Sequence, residues 1–274
     1  HGAGRFRATL PKKVRAILYT HEVVQGNRQA IALENYPKSR AYLESHRTAL
    51  ESRSYVMEAG RRWYELWVPQ DPQAWGRPKL VFRDISERPT FWIDLSGSVV
   101  NGDCYWLVCD DPSKEDLLWL AVSVGNSSFI ESFYDHRFNN KLYAGRRRFI
   151  TQYVEKFPLP DPRTPTALAM IAKADGNAKR EFELQRQILA ADQRGGAART
   201  DRTRYLGAMA SLAMAQPAVE DYRKVALVEP LARSMKNKKA KFETALKGFS
   251  AVADYGVADA ITAATFHTAA LYQD

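Results

Sequence analysis

The chain has 274 residues, enough for one large domain or two ordinary ones. A hydrophobic fraction of 45% excludes a disordered chain, and no run of about 18 apolar residues is present to span a membrane as a helix. The net charge of +9 favours acidic partners, and it is spread along the chain, with 23 basic and 18 acidic residues up to position 160 and 17 and 13 after it.

Residues 1–33 are basic and mixed, with strand-like pieces at 16–19 and 29–33. Pro37 suits the first position of a helix running to Arg53, with Tyr42, Leu43, Ala49 and Leu50 as its apolar stripe. Residues 61–109 read as β, with aromatic or β-branched runs at 63–68, 79–85, 90–95 and 105–109 separated by Pro and Gly. Trp63, Tyr64, Trp67, Trp75, Trp92 and Trp106 crowd this region as expected core. Cys104 and Cys109 fall on one strand, roughly 16 Å apart and on opposite faces, so they are not expected to pair. A reducing compartment, the cytoplasm, follows.

Ser113 and Asp116 mark a helix start, Gly125–Asn126 a break, and Phe129, Ile130 and Phe133 a second helix. After about residue 165 the chain is Ala-rich with almost no strand signal. Helices are expected at 178–191, 205–215, 218–235, 238–255 and 258–272, with Pro217 and Pro230 as breaks or caps and Gly256 as a stop. The inner face of the last helix reads as Ile261, Thr265, Thr268 and Tyr272. The expected fold class is α+β, a mixed sheet-and-helix domain over 1–165 followed by an all-α helical-hairpin domain over 166–274. The chain opens at His1 rather than Met and ends within a helical pattern, so it reads as a segment of something longer.

Residues 126–160 hold eight aromatics, three Asn and six Lys or Arg. Cations neutralise phosphates, amides pair with base edges and aromatic faces stack, so this mixture suits a nucleic-acid surface. Catalytic signatures are missing from the chain. There is no Pro-Pro dipeptide, hence no Asn/Asp-Pro-Pro-aromatic motif of amine methylation, and no Glu-x-Lys or Asp-x-Lys nuclease triplet. Gly2-Ala3-Gly4 lacks the context of a cofactor loop, and the five histidines are scattered without metal spacing. No catalytic residue, no metal and no cofactor is therefore expected in this chain.

Six segments in order carry a resemblance: YPKSRAYLESHRTALESR (36–53), WYEL (63–66), PKLVFRDIS (78–86), DCYWLV (103–108), LLWLAVSVGNSSFIESFY (117–134) and FITQYVEKFPLPDP (149–162). Together they resemble the TaqI-like C-terminal specificity domain of N6-adenine DNA methyltransferases and single-chain restriction–modification enzymes. The resemblance implies a module that docks double-stranded DNA and selects the target sequence. A methylating core outside this chain would then bind S-adenosylmethionine and flip the adenine. On that reading Arg83 reaches a guanine edge or a phosphate, and Asn139, Asn140 and Lys141 face bases or backbone from a loop. Arg146, Arg147 and Arg148 cannot all face one way, so one or two touch phosphate. Residues 176–274 resemble bacterial tetratricopeptide-like helical repeat proteins, which implies a protein partner for the helical half. The alternative function is a non-enzymatic scaffold acting through that half.

Overall fold

The computed structural model describes residues 15–100 and 102–274; the readings of Gly2-Ala3-Gly4 and His1 lie outside the described residues. The class is α+β, with small sheets and helices in the N-terminal part and helices alone in the C-terminal part. Two compact units are present. One holds described residues up to Leu118 together with Ser128–Glu155, and the other holds Trp119–Ser127 and Lys156–Asp274.

The first unit opens with an antiparallel hairpin of β1 (His21–Val24) and β2 (Asn27–Ala30). Its two-residue turn puts Gln25 (φ 50) and Gly26 (φ 79) in the left-handed region, as a twist-matched hairpin turn requires. That turn sets the register, so the strands lie at 21–24 and 27–30 instead of the expected 16–19 and 29–33. The helix expected from Pro37 to Arg53 is broken into α1 (Pro37–Ser45), α2 (Arg47–Glu51) and α3 (Ser54–Met57). Ser45 and Ser52 donate their hydroxyls to the carbonyls of Tyr42 and Ala49, competing with the helical amides at both breaks. The expected stripe is not buried: Tyr42 is exposed, and Val56 is the core residue these helices contribute.

No strand forms over 63–68. Arginines occupy its carbonyls where a partner strand would sit. Arg53 donates to Trp63 and Glu65, and Arg61 donates to Leu66 and Trp67. The crowd of aromatics is less buried than expected. Tyr64 is core, Trp67 is exposed, and Trp63, Trp75, Trp92 and Trp106 are half-buried.

The central sheet is antiparallel in the order β5 (Phe91–Asp94), β3 (Lys79–Arg83), β6 (Cys104–Val108). As the middle strand, β3 buries Lys79, Leu80, Val81 and Phe82, and Phe82 stacks on Phe91 and Tyr105 from either neighbour. Lys79 lies opposite Asp94 in the register. Its ammonium meets that carboxylate at 2.8 Å and the Trp75 carbonyl at 2.7 Å, with the side chain fully buried. The two cysteines are free thiols. Beyond Asp84 the chain forms β4 (Ile85–Ser86), which pairs with β7 (Arg147–Arg148).

Asp111 caps a single 3-10 turn by accepting from the Ser113 amide and hydroxyl, so α4 (Asp116–Gly125) starts after that turn and not at Ser113. After the break come α5 (Ser128–Phe138) and the short α6 (Thr151–Val154).

In the second unit α7 (Pro165–Asp175), α8 (Ala178–Arg194), α9 (Asp201–Lys224), α10 (Leu231–Ala253) and α11 (Ala258–Gln273) pack each on the next. α9 runs through Pro217, where a break or cap was expected. Buried Ala215 and Val219 on either side hold it against the core with Phe249 and Val252, which outweighs one missing backbone bond. The helix ends at Lys224 and α10 begins at Leu231, replacing the expected helices 218–235 and 238–255. The inner face of α11 is Ala260, Ala264 and Leu271, with Ile261 and Tyr272 exposed. Small alanines let the helix backbones approach, which large residues on that face would prevent.

Candidate nucleic-acid interface

The segment after α5 folds as a second hairpin, whose returning strand forms a separate two-stranded sheet with β4. Asn139 ends α5 in a left-handed conformation (φ 43), which Asn tolerates better than most residues. It is exposed, and half-buried Asn140 places its amide 3.4 Å from the Tyr153 hydroxyl. Lys141 bridges Arg147 across the hairpin, and the Leu142 amide donates to the Arg146 carbonyl at 2.7 Å. The tip is Tyr143–Gly145, with Ala144 (φ 55) and Gly145 (φ 70) both left-handed. The returning strand β7 pairs with β4, Ile85 opposite Arg148 and Ser86 opposite Arg147. The Phe149 amide closes on the Asp84 carbonyl at 2.6 Å.

Strand alternation divides the three arginines. Arg147 points inward and is 8% exposed. Its guanidinium grips Asp135 with both arms at 2.6 and 2.7 Å, meets Glu131 at 3.2 Å and donates to the Glu87 carbonyl. A guanidinium so engaged below the surface does not reach a phosphate, so Arg147 leaves the set of candidate contacts and becomes the clamp that orders the hairpin. Arg146 and Arg148 face out. Arg148 pairs with Asp84 at 3.2 Å, Lys141 pairs with Asp135 at 3.0 Å, and the Arg146 guanidinium stands 5.8 Å from the Tyr143 ring. Arg83 is exposed at the end of β3, beside Asp84.

The clamp shows in the acid–base chemistry. The Arg147 hydrogen bond, helped by Lys141, holds the Asp135 carboxyl down to about 2 against its burial. Beneath the hairpin lies an aromatic floor. Tyr134 packs on Phe149 at 4.8 Å and Phe138 on Tyr153 at 4.6 Å, and the Tyr134 hydroxyl donates to the Arg148 carbonyl at 2.7 Å. Burial and neighbouring Tyr153 push the Tyr134 phenol up to about 12. Most aromatics of this stretch thus support the surface rather than form it. Sequence reasoning missed Asp135, Glu131 and Asp84, which hold the cations. A signal for the first two was present, because Glu131 and Asp135 are four apart and share one face of α5.

Among the described residues no group of three His, Cys, Asp or Glu side chains is placed to hold a metal ion, and no helix is long and apolar enough to cross a membrane.

A three-stranded antiparallel sheet and, beside it, a cationic hairpin whose returning strand pairs with β4 define a small α+β domain that displays charged and amide side chains. Residues 27–159 match the TaqI-like C-terminal specificity domain. The chain is 40% identical over 178 residues to the type II methyltransferase M.BanIII of Aneurinibacillus aneurinilyticus, covering 63% of this chain and 31% of the relative. It is 25% identical over 130 residues to M.PaeR7I of Pseudomonas aeruginosa, covering 47% and 22%. Identity to M.BstVI of Geobacillus stearothermophilus is 21% over 136 residues, covering 50% and 23%. The chain therefore spans about a third or less of the length of these relatives.

Proposed function

We propose that residues 1–165 are the sequence-specific, target-recognition portion of an adenine-specific DNA methyltransferase or single-chain restriction–modification enzyme, bound to double-stranded DNA in the cytoplasm. The observation that carries this reading is the ordered hairpin within a specificity-domain match: Arg146 and Arg148 face outward, and exposed Lys141 stands at the Asp135 side, on a backbone that Arg147 fixes from below. Arg146, Arg148, Lys141 and Arg83 take phosphates or guanine edges, and Asn139 and Asn140 take base edges. Methyl transfer belongs to a part of such an enzyme that these residues do not cover. Among the described residues none of β3, β5 and β6 leads through a glycine-rich turn into a helix. No residue here is assigned to S-adenosylmethionine.

The test is duplex affinity of the whole chain against salt. Four phosphate contacts give log K a slope of about −3 to −4 against log salt. Replacing Arg146 and Arg148 together by Ala shrinks that slope by about 2 and weakens all sequences alike if both meet phosphate. A flat response, or no binding at low salt, refutes the reading.

For residues 166–274 we assign an all-α, tetratricopeptide-like partner-binding domain, supported by exposed Leu227, Val228, Leu231 and Met235 between and on α9 and α10. Replacing these four by Ser abolishes partner capture by the whole chain if this is right; recovering no partner with the parent counts against it.

A further inference from the structure

Of the aromatics in the hairpin region, Tyr143 is the one held clear of the fold, with 79% of its surface exposed at the very tip. The turn beneath it is costly. Ala144 carries a Cβ yet sits at φ 55, a conformation L-residues rarely keep without an over-determining surround. The surround is present: the Lys141–Arg147 bridge, the Leu142–Arg146 hydrogen bond and the Arg147 grip on Asp135 fix both arms. A ring presented on so ordered a tip loses little freedom when it is sequestered. Around it stand outward cations, Arg146 at 5.8 Å from the ring with Lys141 and Arg148 at the hairpin base. Phosphate-seeking charges flanking an apolar ring are the arrangement by which proteins press an aromatic wedge into stacked bases. The dimensions agree. A two-stranded ribbon matches the major groove, which is roughly 8.5 Å deep. Each arm spans two residues from bridge to tip, roughly 7 Å, and the tyrosine side chain carries the reach to the groove floor.

We infer that Tyr143 is a DNA-contacting residue whose ring wedges at a base step of the bound duplex from the major groove. This rests on the DNA-binding reading above. The whole chain is used to select duplexes from a randomised library, and each adenine of the selected site is replaced in turn by 2-aminopurine. The expected result is fluorescence brightening at the step that Tyr143 unstacks. Tyr143→Ala abolishes the brightening and weakens affinity about 5- to 150-fold, the equivalent of one base stack, with the salt slope unchanged because no charge is lost. Tyr143→Phe retains both. The inference is overturned if Tyr143→Ala binds within about twofold of the parent, or if every 2-aminopurine stays dark on binding the parent. If the parent selects no duplex, the DNA reading falls and takes this inference with it. A parent that binds with a steep salt slope and is indifferent to Tyr143→Ala sinks the wedge alone.

Discussion

Arg147→Ala tests whether the hairpin is ordered from beneath. Removing one partner of a buried ion pair costs about 3–5 kcal/mol, because the remaining charges stay desolvated. Here Asp135 is 23% exposed and Glu131 somewhat more, so they regain part of their hydration, and about 2–3 kcal/mol is expected. The Asp135 carboxyl gives an independent gauge. Held at about 2 against an ordinary 3.8, it is worth at most about 2.5 kcal/mol, shared between Arg147 first and Lys141. A depressed carboxylate contributes stability above its unfolded value and loses it as the pH falls through the folded one. The parent therefore sheds this stabilisation between about pH 4 and pH 2, and the gap between parent and variant narrows across that window. Guanidinium unfolding followed by tryptophan fluorescence reads it, since five of the six tryptophans, Trp63, Trp67, Trp75, Trp92 and Trp106, lie in the unit that carries the hairpin. An NMR titration should show Asp135 moving back toward its ordinary value in the variant. A variant within about 0.5 kcal/mol of the parent at pH 7 would refute the clamp.

Three further outcomes are expected. Lys79→Met leaves the Asp94 carboxylate buried with its serine donors alone, so the first unit loses about 3 kcal/mol. Burial then raises a carboxyl that Lys79 and Ser96 now hold low, so the deficit is largest at neutral pH and narrows as the pH falls and Asp94 takes up a proton; an unchanged guanidinium midpoint and pH profile would contradict this. Gly207→Ala puts a Cβ 2.6 Å from the Asp192 carboxylate, which Arg199 fixes with both arms. Overpacking of about 1–3 kcal/mol outweighs the helix-propensity gain of about 1, and the melting temperature of the helical unit falls; a rise would show that α8 and α9 part freely. Tyr134, neutral and buried, supports the fold below its ordinary value of 10, and that support is lost as the pH rises toward about 12. Tyr134→Phe removes that alkaline transition and costs about 1 kcal/mol at neutral pH through the Arg148 carbonyl. A phenol titrating near 10 in the folded protein would be the contrary result.

The central strands were legible because β-branched and aromatic runs between Pro and Gly carry their own signal. Residues 79–85, 90–95 and 105–109 became β3, β5 and β6 with ends shifted by a residue or two. The 63–68 run has the same composition and is not a strand, because its hydrogen-bond partners are the nearby side chains of arginines 53 and 61, which strand composition does not register. The run 37–53 failed for a local reason, serine hydroxyls taking helix carbonyls, that its spacing concealed. At the hairpin, composition singled out the segment but not the roles within it. Three consecutive arginines look alike in sequence, and alternation makes the middle one structural. Tyr143 stood among eight aromatics with nothing to separate it until Phe138, Phe149 and Tyr153 went into the floor.

The pairing of the outward cations bears on how a DNA-reading domain would limit indiscriminate binding. Arg148 spends its charge on Asp84, and Lys141 on Asp135, so the hairpin presents less positive potential than its residue count implies. Among the described residues Arg146 has no carboxylate partner; its contact is the Tyr143 ring. A duplex must displace Asp84 to engage Arg148, and the remaining carboxylate then faces phosphate. Asp84→Asn isolates this effect. The backbone of residue 84 keeps its bonds to Asp103 and Phe149, so the β4–β7 pairing survives. The pair itself is surface-exposed on the arginine side and contributes little to folding. Affinity for any duplex should rise, and the slope of log K against log salt should steepen by about 0.9, one phosphate more. Discrimination between the selected site and random sequence should narrow, because the gain is indifferent to the bases. Unchanged affinity and slope would mean that Arg148 does not face DNA, leaving Arg146, Lys141 and Arg83 to account for the electrostatics alone.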